Sequence, residues 1–298
     1  MRKLPVSPRK VAALVREARR LAEGPGRVVM VGSNSSALAS VRESLAAGAS
    51  PEAAAHLMET SDAGVDAARA KMNGSTGVII VVAASDELST GSLGARLGKV
   101  HQAGIPAVLV LTQAPGVEVS FPAAGVAPRR VVGMAPGGMV PGDVLAEAVV
   151  DAMGEAAVPL AARLPALRQE ACRQLIRKTA RQNAVVGALF FLPGSDMPVM
   201  MLNEAKMVLR IAAAHNEPLG GERLLELLGV AGTGFGFRAA ARQALDFMPG
   251  PGWIIKSGIA YSGTRALGQA AQAYFSGSIR VTPSRLKPVV DKARQLRG

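Results

Sequence analysis

One cysteine, Cys172, is all the chain has, so no internal disulfide can form; the residue falls within a helical pattern and reads as a buried, inert thiol in a reducing compartment. Histidine is nearly as scarce: His56, His101 and His215 are far apart and show no ligand spacing, which excludes the common zinc motifs. Aromatic residues make up only 3%, so alanine, valine, leucine and methionine must fill the interior. Charged residues amount to 19% against 49% hydrophobic, which excludes a disordered chain. The basic start has no apolar stretch of the signal-peptide kind, so the chain is expected to begin at Met1 and to stay cytoplasmic. Nor is there an unbroken run of about 18 apolar residues. The nearest, Ala184 to Leu202, is interrupted by Pro193, Gly194, Asp196 and Pro198, which argues against a spanning helix but leaves a surface hairpin open.

What the chain has in excess is positive charge, a net +12, unevenly placed: +6 over residues 1–30, −5 over 31–155 and +11 over 156–298. Basic parts flank a mildly acidic middle, so the 298 residues read as units with different surfaces, the basic ones suited to an anionic partner. Residues 1–26 contain a basic amphipathic helix, introduced by Ser7-Pro8 and closed by Gly24. Valine-rich runs at 27–32, 77–83, 107–112 and 129–134 have the character of strands buried on both faces of a parallel sheet. Helical patterns at 37–47, 51–58, 64–72, 90–103 and 143–154 alternate with them, giving a doubly wound α/β domain over 27–155. The region from Ala53 to Thr60 is ambiguous, since His56 to Thr60 could equally be a short strand. Beyond Ala156 the strand signal stops. Periodic apolar segments at 160–183, 197–215, 221–231, 235–247, 251–275 and 283–297 make 156–298 an all-helical domain, with turns at Pro193-Gly194, Pro218 to Gly221 and Met248 to Gly252.

The first strand runs into a glycine and then a helix, the arrangement in which GxxxxGK(S/T) wraps phosphates with backbone N–H groups while lysine and a hydroxyl hold the outer oxygens and Mg²⁺. Here the loop reads Gly32-Ser33-Asn34-Ser35-Ser36, and Ala37, Leu38 and Ala39 stand where the second glycine, the lysine and the hydroxyl belong. Leucine supplies no ammonium to a triphosphate, and alanine no ligand to the metal. After the strand at 107–112 a guanine reader would continue N/TKxD, but the chain continues Thr112-Gln113-Ala114-Pro115. Asp62-Ala63-Gly64 is either a remnant of a DxxG segment, off by one residue, or an ordinary acidic turn.

In layout residues 27–154 resemble Era-like GTPase domains, through the VMVG, VIIVVAAS and VLVLTQAP strands and their order, with degenerate motifs. The resemblance implies a P-loop-GTPase-like parallel sheet that has lost its grip on nucleotide. Residues 184–276 resemble the YcjF-like helical domain of unknown function, found in bacteria beside GTPase domains. The resemblance rests on the Pro193-Gly194 turn with Asp196 and Pro198, the Arg238-Ala239-Ala240-Ala241-Arg242 helix, the Pro249 to Lys256 segment around Trp253, and Tyr261, Thr264 and Ala266-Leu267-Gly268. It implies association with membranes and with GTPase partners rather than a reaction.

Arg173, Arg177, Lys178 and Arg181 form a basic stripe at helical spacing just ahead of the apolar hairpin. Such a stripe is a solvated face by default and, beside apolar residues, a match for anionic headgroups. Phe190 and Phe191 at the hairpin, like Phe235, Phe237 and Trp253, are either core plugs or lipid-facing wedges. Gly232 to Gly236 follows a helix rather than a strand, so it reads as an interhelical turn and not a dinucleotide fingerprint. No basic patch is interleaved with aromatics for base stacking, which disfavours nucleic acid. The expectation is a cofactor-free, non-catalytic pseudo-GTPase adaptor or scaffold, peripheral at the inner membrane, with an anionic membrane surface or a GTPase as partner and homo-oligomerisation left open. The rival is an atypical nucleotide hydrolase that uses the serines of Ser33 to Ser36 and a distant basic residue in place of the absent lysine.

Overall fold

The computed structural model describes residues 8–24, 26–60, 65–72, 76–84, 87, 92–112, 126–135, 137–189, 197–217 and 252–278. The chain divides into two compact units, one of residues 23–171 and one that joins residues 1–22 to 172–298.

The first unit is a five-stranded sheet of β1 (Gly26–Val31), β2 (Leu57–Thr60), β3 (Thr76–Ala84), β4 (Ala107–Thr112) and β5 (Val131–Met134). The strands lie in the order β2-β1-β3-β4-β5, and every pair is parallel. Val28, Val29, Met30, Ile79, Ile80, Leu109 and Val110 are all buried, because neighbours of both parities must be covered when helices lie on both faces of a parallel sheet. Those helices are α2 (Ser35–Ala46), α4 (Val65–Met72), α5 (Ser92–Gln102), α6 (Gly142–Met153) and α7 (Val158–Arg163), while the short α3 (Pro51–Ala54) has no buried residue and leads into β2. One face packs Ala68, Met72, Leu93, Leu97 and Val100 of α4 and α5 against Val29, Ile79, Val81, Leu109 and Leu111.

Four expectations from the sequence are corrected by the fold. The helix read over 51–58 stops at Ala54, and the ambiguous residues after it form β2: Leu57 and Thr60 are buried, and the strand pairs with Val28 to Val31. The strand read from Arg129 begins only at Val131, since Pro128 starts a 3₁₀ turn whose Arg129 and Arg130 both pair with Asp151 of α6, at 3.0 and 2.7 Å. The sheet unit does not end at 155. Residues of α7 and the turn Pro165–Leu167 belong to it: a Cβ at Gly26 would meet Leu160 at 2.8 Å, and Arg163 donates to the Gly24 carbonyl at 3.0 Å. Pro165 interrupts the helix expected over 160–183 by forcing Leu164 into an extended conformation.

His56 marks the amino edge of the sheet, its carbonyl accepting from Val28 N at 3.1 Å. Partial burial holds its imidazole below the usual 6.5, the Arg163 charge adds to that, and a backbone hydrogen bond at Gly26 opposes both. The neutral ring is therefore favoured on folding, so its share of stability is present above the unfolded value and is lost as pH falls. The expected result is an imidazole titration midpoint below 6.5 by NMR, and an acid-side loss of stability that flattens in His56→Gln.

Among its described residues the second unit is helical: α1 (Pro8–Glu23), α8 (Arg168–Leu189), α9 (Met197–Ala214) and α10 (Gly252–Phe275), the division of the chain falling within the first turn of α8. The first helix is thus part of this unit rather than a separate segment. Leu14 and Ala18 are buried, and Glu17 reaches Lys206 and Arg210 of α9 at 3.4 and 3.5 Å. Helices α8 and α10 meet so closely that a Cβ on Gly268 would stand 2.5 Å from Ile176. Between the helices lies a buried polar cluster. Asn183 Nδ2 donates to Thr264 Oγ1 at 2.9 Å, Thr264 Oγ1 donates to Glu204 Oε1 at 2.8 Å, and Asn203 Nδ2 donates to Asn183 Oδ1 at 2.9 Å. Cys172 is buried, in line with a structural thiol. The helical segments read at 221–231, 235–247 and 283–297, with Phe235, Phe237 and the Gly232 to Gly236 turn, lie outside the described residues.

Candidate functional site

In a parallel sheet of this kind ligands bind outside the carboxyl ends of the strands, and the order β2-β1-β3-β4-β5 reverses direction between β1 and β3. At that end lies a cleft of about 210 Å³ lined by Asn34, Ser36, Ala37, Thr112, Met134, Gly137 and Gly138. The loop after β1 supplies one wall, the end of β4 another, and the loop after β5 the third. That last loop is held down by α2: Val140 N donates to the buried Ser40 Oγ at 2.9 Å and Ser44 Oγ donates to the Val140 carbonyl at 3.3 Å. Ser40 and Ser44 are site-building residues that sequence reasoning missed; the only trace was two hydroxyls four residues apart on an alanine-rich helix.

The wall after β1 is short. The segment Gly32 to Ser36 was expected to form a vestigial phosphate loop, but only Gly32, Ser33 and Asn34 are loop, while Ser35 and Ser36 already lie in the first turn of α2. Asn34 decides this, because asparagine is a strong N-cap: its Oδ1 accepts from Ala37 N at 3.0 Å and from Ser36 Oγ at 2.8 Å. A side-chain oxygen thus takes a place at the helix N-terminus where a bound anion would lie. Gly32 also has a packing reason, since a Cβ there would stand 2.7 Å from the Val82 carbonyl oxygen at the end of β3. Leu38 is 6% exposed and belongs to the core, Ala37 is buried as well, and Ala39 is exposed.

Among the described residues that line the cleft, none is cationic; its polar groups are hydroxyls, a carboxamide and backbone. Among the described residues, too, no group of three or more His, Cys, Asp or Glu is placed to hold a metal ion. Asp62-Ala63-Gly64 and Gln113-Ala114-Pro115 lie outside the described residues.

Elsewhere, Arg173, Arg177, Lys178 and Arg181 are all exposed on α8, and the helix continues past them to Leu189. Leu189 is 65% exposed and Val185 57%, whereas Met200 on α9 is buried; Phe190 and Phe191 lie outside the described residues. The basic stripe and the start of the apolar hairpin therefore share one continuous helix. Among the described residues no helix is long and apolar enough to cross a membrane.

No family model matches the chain, and no curated protein or solved structure matches it either.

Proposed function

We propose that the chain is a non-catalytic pseudo-GTPase adaptor or scaffold: a P-loop-GTPase-like sheet unit that has exchanged nucleotide binding for structure, joined to a helical unit that meets an anionic surface or a GTPase partner at the cytoplasmic face of a membrane. The reading is supported by the cleft's place, between the loop after β1 and the ends of β4 and β5, where such a domain keeps its nucleotide. The single observation that carries it is the rebuilt β1–α2 junction. The helix starts early, Asn34 caps it, and Leu38, at the lysine's place in the pattern, faces the core instead of the cleft. Among the described residues of the cleft there is no ammonium, and the Ala37 N–H is already taken by Asn34, so little there offsets the desolvation of a triphosphate.

Calorimetric titration of the full chain with Mg·GTP, and separately with Mg·ATP, is the test. No saturable heat is expected. Stoichiometric uptake of either nucleotide, with or without turnover, would overturn the reading and favour the hydrolase rival.

A further inference from the structure

The described outer face of α8 changes character along its axis. At 100° per residue, Lys178, Arg181, Val185 and Leu189 fall within about 80° of one another, and Arg177 and Arg173 continue the same exposed half of the helix on one side. Beyond Arg181 the exposed positions are Gln182, Val185 and Leu189, with no charge among them. Asn183 Nδ2 also reaches the Met200 carbonyl at 3.5 Å, which sets Val199, 40% exposed, beside the last turns of α8. Cations thus lie toward the start of the helix and bare aliphatic side chains at its end.

We infer that the helical unit docks on an anionic bilayer through the carboxyl end of α8, entering end-on, with Val185, Leu189 and Val199 at the edge of the hydrocarbon and Arg177 and Arg181 among the lipid phosphates. A helix lying flat would carry its cations along both flanks of an apolar stripe through its whole length. Here the two kinds of residue are separated along the axis. Arg181 and Leu189 are ~12 Å apart along it, against a headgroup layer of roughly 5–8 Å per leaflet, a gap that an arginine's long stem bridges. The order of charge then hydrocarbon is the order in which a bilayer presents its own layers. An acidic protein would match the arginines but gives no reason for bare aliphatics at the end of α8, and base stacking would need aromatics, which the described residues of this face do not include.

The inference deepens the partner half of the proposed function and is independent of the cleft: vesicles test this face, and Mg·GTP tests the other. The experiment uses the full chain with an environment-sensitive fluorophore on Arg173→Cys, Val185→Cys or Leu189→Cys, the buried Cys172 of the parent chain giving the labelling blank. With phosphatidylglycerol-containing vesicles, the labels at 185 and 189 are expected to shift to the blue and to be quenched by a quencher on the acyl chain, while the label at 173 keeps its aqueous spectrum. Binding is expected to fall on the order of a hundredfold in Arg177→Glu/Arg181→Glu and on pure phosphatidylcholine. Because the substituted positions are exposed, the circular dichroism of each variant should match the parent. Failure to bind anionic vesicles, or equal responses at 173 and 189, would overturn end-on docking.

Discussion

Replacing Leu38 by lysine, the residue a phosphate-gripping loop carries at that place, is expected to destabilise the sheet unit by on the order of 3–5 kcal/mol and to bring no affinity for Mg·GTP. The side chain is 6% exposed and counts among the core residues, so an ammonium there would be taken out of water. Ala39→Ser in the same chain should change little, because Ala39 is exposed on the helix. Leu38→Met, which keeps volume and polarity, should cost less than about 1.5 kcal/mol and separates charge from shape. Hydrogen exchange of the β1 and β3 amides reads the sheet unit directly, where whole-chain melting would mix two units. A Leu38→Lys/Ala39→Ser chain as stable as the parent and competent to take up nucleotide would show that position 38 faces the cleft.

The second large effect belongs to the helical unit. Glu204 is 2% exposed and its Oε1 accepts from Thr264 Oγ1 at 2.8 Å and from Asn183 Nδ2 at 3.4 Å. Thr264→Val keeps the shape of the side chain and removes the hydroxyl donor, leaving a buried carboxyl with its bond to α10 broken. The expected loss is about 1–3 kcal/mol, the cost of leaving a buried polar group without its partner. Thr264→Ser should retain most of the stability, since it keeps the donor and loses only a methyl. Unfolding followed by the fluorescence of Trp253, the single tryptophan of the chain, provides the measurement. Equal midpoints for the valine and serine variants would mean that the hydroxyl contributes nothing to holding α8, α9 and α10 together.

These two sites also show what could be read in the residues. The strands were legible because short valine- and isoleucine-rich runs such as Val78 to Val82 suit a sheet covered on both faces and little else. The departure of Leu38 from the phosphate-loop pattern was legible as chemistry, since leucine carries no charge. Its direction was not. Whether residues 35 and 36 are loop or helix turned on a competition between a glycine-started spacing and the capping strength of Asn34, and the cap won locally. β2 stayed one of two readings, because a four-residue strand just after a short helix carries too few residues to show a period. Thr264 and Gly268 stood out as part of a motif, yet their work in this fold is a buried hydrogen bond and a close helix approach. The exposure of Val185 and Leu189 depended on α8 running to Leu189, beyond the sequence estimate of 183, so the apolar end of that face could not be assigned to the same helix as the arginines.

The helical unit is made from both ends of the chain: Glu17 of α1 finds Lys206 and Arg210 of α9 only after the whole sheet unit has been threaded between them. During synthesis on the ribosome, therefore, the sheet unit has all its residues available while α1 is still waiting for companions that have yet to be translated. That delay leaves α1, basic and amphipathic, to whatever chaperone or surface it meets first, and puts assembly of the bundle after that of the sheet in the life of the newborn polypeptide.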